Sequence, residues 1–199
     1  MGKTYMRHGR KQKSSIQIQR KNIIRAASIC IVNKGVSGCS MKDIEEVSNL
    51  SPGQIYRCYE SKNEIVEGVI ENNIEEICNS LPMIYKQQSL LEYILSGDVL
   101  KLDVELSFVL KLNAILRIEA MFHQDLRESI QHYHSILMKE HMRLISFYYP
   151  ELDGDYKNMF PWLVDVFLLG VTHDHCLIRK TVLNSEQSIK TLRELLKQN

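Results

Sequence analysis

The chain is short of residues that break or staple a fold. Four prolines and nine glycines in 199 residues leave long stretches in which nothing interrupts a helix. Five cysteines, at 30, 39, 58, 78 and 176, form an odd set with no CxxC pair. That excludes a disulfide framework and suits a reducing compartment. No run of about eighteen apolar residues occurs, which excludes a membrane-spanning helix. The basic N-terminus has no apolar signal-peptide core, so a cytoplasmic protein is expected, with no membrane partner. A Gly-rich phosphate loop, GxSxG and HExxH are all missing, so no enzymatic activity and no cofactor are expected.

Charge is present and unevenly placed. Residues 1–62 hold twelve Lys and Arg against four acids, a balance of +8, while the rest holds thirteen against twenty, or −7. The net charge of +1 hides this separation. A polyanion partner is therefore expected for the front of the chain alone.

The most informative stretch runs from Cys39 to Glu64 and reads as two short helices around a tight turn. Met41, Ile44 and Val47 place apolar side chains on one face of the first. Asn49 tolerates the left-handed conformation a sharp exit needs, and Leu50 is the expected plug between the helices. Ser51 is an N-cap and Pro52 stands at the first helical position, where a missing N–H costs nothing. Ile55 and Tyr59 then share one face, with Gln54, Tyr56 and Arg57 off it. The pattern is a helix-turn-helix whose donor-rich second helix fits a major groove.

A leading helix of about twenty residues is expected from Ser14 or Ser15 to Gly35, with Ile16, Ile23, Ile24, Ala27, Cys30 and Ile31 as its stripe. Ser40 caps the next, with Asp43 in its first turn. Residues 1–13 are basic and poor in apolar side chains, which suits either a disordered arm following DNA or a solvated tail.

Ile23-Ile24-Arg25-Ala26-Ala27, Gly35, Ser40, Ile44, Val47, Leu50-Ser51-Pro52-Gly53-Gln54-Ile55-Tyr56, Tyr59 and Ser61-Lys62-Asn63-Glu64-Ile65 resemble the N-terminal domain of the TetR family of bacterial transcriptional regulators. The resemblance covers about residues 15–66. Ile31, Glu45, Asn49 and Tyr59 depart from it; Glu45 stands where close helix packing favours a small side chain. What it implies is an all-α protein: a flexible basic arm (1–14), a three-helix DNA-binding domain (15–62) and a larger helical effector-binding and dimerisation domain (63–199). It also implies that Ser61 to Ser80 form the linking helix, ended at Leu81-Pro82.

Beyond Ser89 the pattern is helical throughout. Helices are expected over Leu90–Leu102, Asp103–Phe122, Gln124–Tyr149 and Met159–Lys180, and from Ser185 to about 197. The second is apolar on most sides and reads as the central buried helix.

Ser40 and Ser51 sit at helix N-termini suited to phosphate, beside Pro52 and Gly53. Gln54 suits adenine, and Arg57 guanine or phosphate. The resemblance assigns backbone contacts to Tyr56 and Lys62 and packs Tyr59 inward. It also implies a small effector in the body, for which Phe108, Glu119, Phe122, Tyr133, His134, Leu137, Met138, His141 and Trp162 are candidates. Aromatic and Met side chains at helical spacing also simply fill cores. Glu119 with His123, and the run His173-Asp174-His175-Cys176, have partial metal spacing, but residues i and i+2 point to different helix faces, so no metal site is expected. Cys58 falls in the recognition helix without an evident resolving partner.

These features describe a homodimeric repressor held on a near-palindromic DNA operator, joined through its last two helices and released by a small, largely apolar effector. A relative that binds DNA without an effector is the alternative.

Overall fold

The computed structural model describes residues 3–86 and 104–177, all in helices and short connections. The helices are α1 (Lys3–Gly38), α2 (Met41–Ser48), α3 (Pro52–Tyr56), α4 (Lys62–Tyr85), α5 (Val104–Glu119), α6 (Gln124–Tyr148) and α7 (Gly154–Leu177). The expected helices over 90–102 and 185–197 lie outside the described residues.

α1 starts at Lys3, well before the expected Ser14 or Ser15. No proline lies in this region to stop the helix from running through the basic segment. Its buried stripe begins at Ile23 and continues through Ile24, Ala27, Cys30 and Ile31; Ile16, expected within it, is exposed. Gly35 breaks the helix with φ 74° and ψ 171°, a left-handed conformation that disfavours any side chain.

Capping sets the next two helices. Asp43 Oδ2 accepts from the Ser40 N–H (2.8 Å) and hydroxyl (2.6 Å), and the Asp43 N–H donates to Ser40 Oγ at 3.2 Å. Asn49 ends α2 at φ 55°, as its residue type suggests. Val47 is exposed, not buried; Ile44 and Ser48 carry the inward face. Asn22 Nδ2 donates to the Ser48 carbonyl at 2.9 Å and ties this helix end to α1.

α4 is longer than expected. Leu81, Ile84 and Tyr85 are all buried, and the helix continues through Pro82 to Tyr85. Proline removes one N–H, but the apolar surface buried by the following turn outweighs that loss. α7 likewise starts at Gly154, five residues before the expected Met159, and shortens the preceding loop.

One apolar cluster joins α1–α4 to Leu112, Leu116 and Ala120 at the end of α5 and to Leu126 in α6. A second packs Ile74, Ile77, Leu81 and Ile84 of α4 against α5, α6 and α7. α4, α5 and α6 thus each contribute to both cores, and α4 alone of the three starts in the helix-turn-helix head.

Candidate functional site

The helix-turn-helix presents an open face. Ser51, Pro52, Gly53, Tyr56 and Arg57 are exposed, Tyr56 by 55%, while Ile55 is fully buried beneath them. A Cβ built on Gly53 meets nothing within 4 Å. The missing side chain is therefore not needed for packing and leaves room for an outside surface. Tyr59 turns inward, 5% exposed, with the Arg20 guanidinium 4.4 Å from its ring centroid. Burial raises the Tyr59 pKa, so its hydroxyl stays neutral.

Several candidate DNA donors are engaged within the chain. Gln54 Oε1 accepts from the Ser51 N–H and hydroxyl, both at 2.9 Å, closing the N-terminus of α3. Arg57 Nε donates to the Gly53 carbonyl at 3.0 Å. Lys62 Nζ donates to the Val36 carbonyl at 2.7 Å. Ser40 is held by Asp43, whose carboxyl lies well below its ordinary pKa because Lys34 and Ser40 both bond to it. Only Tyr56 projects with no bond of this kind. These bonds occupy Gln54 Oε1 and Arg57 Nε, which spacing along the chain does not reveal.

The joint between the helix-turn-helix head and the body is built around Glu119. Its carboxylate accepts from the Val36 N–H (2.8 Å), the Ser37 N–H (3.3 Å) and the Ser37 hydroxyl (3.2 Å). Ser37 Oγ also lies 3.1 Å from His123 Nε2. A side chain at Gly35 would put its Cβ 2.2 Å from Glu119 Oε1. Glyine at 35 and the carboxylate at 119 are therefore matched. Arg127 bonds the Ala120 and Met121 carbonyls (3.1 and 2.9 Å) and closes the end of α5.

The nine effector candidates do not form one site. Phe122 is 77% and Trp162 57% exposed. Glu119 belongs to the head–body joint, and Phe108 and Tyr133 pack into apolar clusters. Met138 is half-buried against the second cluster. Of the nine, only Leu137 and His141 line a small cavity among α4, α5, α6 and α7, of about 10 Å³, together with Ile77, Leu110, Asn113, Asp165, Leu168 and Leu169. His134 stands behind its wall, with Nε2 3.2 Å from Asp165 Oδ2.

Buried polar groups around that cavity escape sequence reasoning, because their partners are far apart in the chain. Tyr85 Oη and His141 Nδ1 are 2.7 Å apart. Asp165 takes two bonds from Arg117 Nη1, at 3.0 and 2.8 Å. Asn113 Nδ2 donates to Asn73 Oδ1 (3.1 Å), and Asn73 Nδ2 to the Val109 carbonyl (2.8 Å). Burial lowers the His141 pKa to about 4 and raises the Tyr85 pKa. Burial opposes ionisation of Asp165, yet the His134 and Arg117 bonds outweigh it and hold its pKa below the ordinary value.

Cys58 follows α3 instead of lying in it, and is buried. Cys30 and Cys39 are buried beside each other, and burial raises both pKa values, Cys39 to about 11. Such thiols stay protonated and unreactive at neutral pH. Among the described residues no three His, Cys, Asp or Glu side chains gather as a metal site. The side chains of His173, Asp174, His175 and Cys176 lie outside the description.

Fold and site together define a two-part helical protein with a helix-turn-helix head on a helical body. No family model matches the chain, and no curated protein matches it. Solved structures do. A TetR-family transcriptional regulator from Cytophaga hutchinsonii superposes with TM-score 0.66 at 19% identity, over 92% of this chain and 95% of that one. A transcriptional regulator of Aquifex aeolicus VF5 gives 0.61 at 19%, over 90% and 98%. The multidrug binding protein EbrR, solved with imidazole, gives 0.58 at 17%, over 89% and 94%. The chain has the fold of the TetR-family regulators, as the all-α, two-part reading of the sequence requires.

Proposed function

We propose that the chain is a dimeric DNA-binding transcriptional regulator, a repressor released from a near-palindromic operator by a small, largely apolar effector. The observation that carries this reading is the open face of α3, with Tyr56 projecting and Gly53 unobstructed, on a front segment of charge +8. A phosphate backbone can approach Gly53 closely while Tyr56 donates a hydrogen bond to it and the cationic side chains neutralise it. Ser40, Ser51, Pro52, Gly53, Gln54, Tyr56, Arg57 and Lys62 form the proposed contact set, and residues 1–14 extend it along the DNA. The proposed head spans 15–62 and the body 63–199.

Dimerisation is proposed through the last two helices, of which α7 is described. Met159, Trp162 and Val166 on α7 are exposed, as are Ile118 and Met121. A shallow groove of about 470 Å³ runs over Ala114, Ile118, Met121, Leu169 and Gly170. Apolar surface of this kind suits a partner helix. Two copies then set the spacing of two recognition helices and hence a palindromic target.

Effector release draws support from EbrR, whose name makes it a multidrug binding protein. The alternative, DNA binding without an effector, is favoured by the small size of the cavity in the body, about 10 Å³. Small-ligand pockets are usually of about 300 Å³ or more. No helix among the described residues is long and apolar enough to cross a membrane. The proposed setting is the bacterial cytoplasm, on the nucleoid when bound.

The reading is tested by exposing the purified chain to random genomic fragments at two salt concentrations and sequencing what is retained. Enrichment of a short inverted repeat supports it. Retention without sequence preference supports an architectural protein, and no retention at either salt removes the DNA reading.

A further inference from the structure

Among the described residues one buried polar side-chain atom has no partner, and its residue lines the small cavity of the body. His141 is 0% exposed, and its Nε2 has no hydrogen bond. Its other ring nitrogen is bonded to Tyr85, 2.7 Å away. The hydroxyl of Tyr85 carries one proton and lies against Nδ1 of His141. If that proton points at Nδ1, the imidazole proton sits on Nε2 and one donor is left unmatched. The opposite tautomer leaves two groups unmatched, the Tyr85 proton and the Nε2 lone pair. Buried polar groups are overwhelmingly paired, so the first arrangement is the cheaper. Nε2–H is then a donor at the cavity wall.

The charges around it restrict what it takes. Asp165 lines the same cavity, with its carboxylate already held by Arg117 and His134. An anion would meet that carboxylate across a low-dielectric space, and a cation would have to displace Arg117 from it. Glu140 adds a further negative charge near His141. The remaining wall is Ile77, Leu110, Leu137, Leu168 and Leu169. At about 10 Å³ the space suits a single oxygen atom.

We propose that His141 Nε2 is the polar anchor of the effector site, and that it takes an uncharged ligand with one oxygen acceptor, such as a ketone or ester, on an apolar frame. This deepens the effector reading above and rests on it. The oxygen accepts from Nε2–H, and the frame displaces the leucine side chains. Tyr85 is on the last turn of α4, whose first turn holds Lys62 in the head. A ligand on His141 therefore presses, through Tyr85, on a helix that packs in both cores and carries Lys62 at its other end.

The test uses the full chain with its histidines labelled with ¹⁵N. The label first reports the His141 tautomer without any ligand. Cyclohexanone, cyclohexanecarboxylate and cyclohexylammonium are then titrated as probes of one frame and three head groups, with cyclohexane as the bare frame. The expected result is a protonated Nε2 whose resonance moves with cyclohexanone and not with the ionic probes. His141→Phe, which keeps the volume and removes the donor, weakens cyclohexanone binding roughly tenfold, the range for a lost buried hydrogen bond. Binding of an ionic probe in place of the ketone overturns the ligand class and leaves the effector reading standing. An unprotonated Nε2, or no response to any probe, overturns the anchor itself.

Discussion

Glu119 accepts a hydrogen bond from the backbone N–H of Val36 at 2.8 Å, across 83 positions of sequence. The same carboxylate takes the next N–H, that of Ser37. Successive amides of this kind form an anion-binding concavity, and here the anion is supplied by the body. The left-handed Gly35 beside it lets the segment turn and leaves room for the carboxylate. One side chain of α5 thus fixes where α1 ends.

Removing that carboxylate should loosen the joint. Glu119→Ala is expected to lower stability by about 1–3 kcal/mol, because two amides and a hydroxyl lose their acceptor. Urea unfolding measures this, and amide exchange at Val36 and Ser37 should rise together. Glu119→Gln keeps one carbonyl oxygen for Val36 and should fall between the two. Equal exchange in Glu119→Ala and the parent would show that the bonds do not persist in solution.

Gly53 separates packing from recognition. Alanine there fits the open space around it and favours the helix, so Gly53→Ala should leave stability unchanged or raise it by up to about 1 kcal/mol. Retention on DNA should fall nonetheless, because the added methyl stands where a phosphate backbone approaches. Thermal unfolding and fragment retention on one preparation check both halves.

Gln54 offers a complementary case. Glutamate preserves the bonds to Ser51 and is the favoured partner in a capping box. Gln54→Glu is therefore expected to unfold at the same temperature or slightly higher. It should bind DNA more weakly, since its charge repels phosphate and its amide donor is gone. Unchanged DNA binding would place Gln54 in capping alone.

Acid should destabilise the body through His141. Its pKa falls from 6.5 to about 4 on burial, so below pH 6.5 the unfolded chain binds a proton that the folded chain refuses. Stability from this group is complete above pH 6.5 and is lost as pH falls toward 4, by about 3 kcal/mol at that point. Asp165, held below its ordinary 3.8, adds its own loss only at lower pH. Denaturation midpoints from pH 7.5 to 4.5 should therefore fall less steeply in His141→Phe than in the parent.

The head was legible because its signals are local. Ser40 with Asp43, Asn49, and Ser51 with Pro52 all act within a few positions of themselves, and each residue type has few other uses there. α4 was misjudged because Pro82 is a local stop signal overridden by burial of Leu81, Ile84 and Tyr85, whose partners lie in other helices. The body site was largely illegible for the same reason. Residue type suggests His141 and Leu137, which line the small cavity, but Tyr85, Asn113, Arg117 and Asp165 come to it and to each other only through folding. Phe122 and Trp162 show the converse, since large apolar side chains that suggest a pocket are on the surface. Glu119 was picked as a ligand contact and instead holds the joint.

The most direct test of the account is equilibrium binding of the full chain to its most enriched genomic fragment and to a scrambled fragment of equal length, across a range of salt. The account predicts tighter binding to the enriched fragment at every salt, with Tyr56→Ala abolishing the difference and leaving the fold intact by circular dichroism. Equal affinity for both fragments, unchanged by Tyr56→Ala, would contradict recognition through the open face of α3.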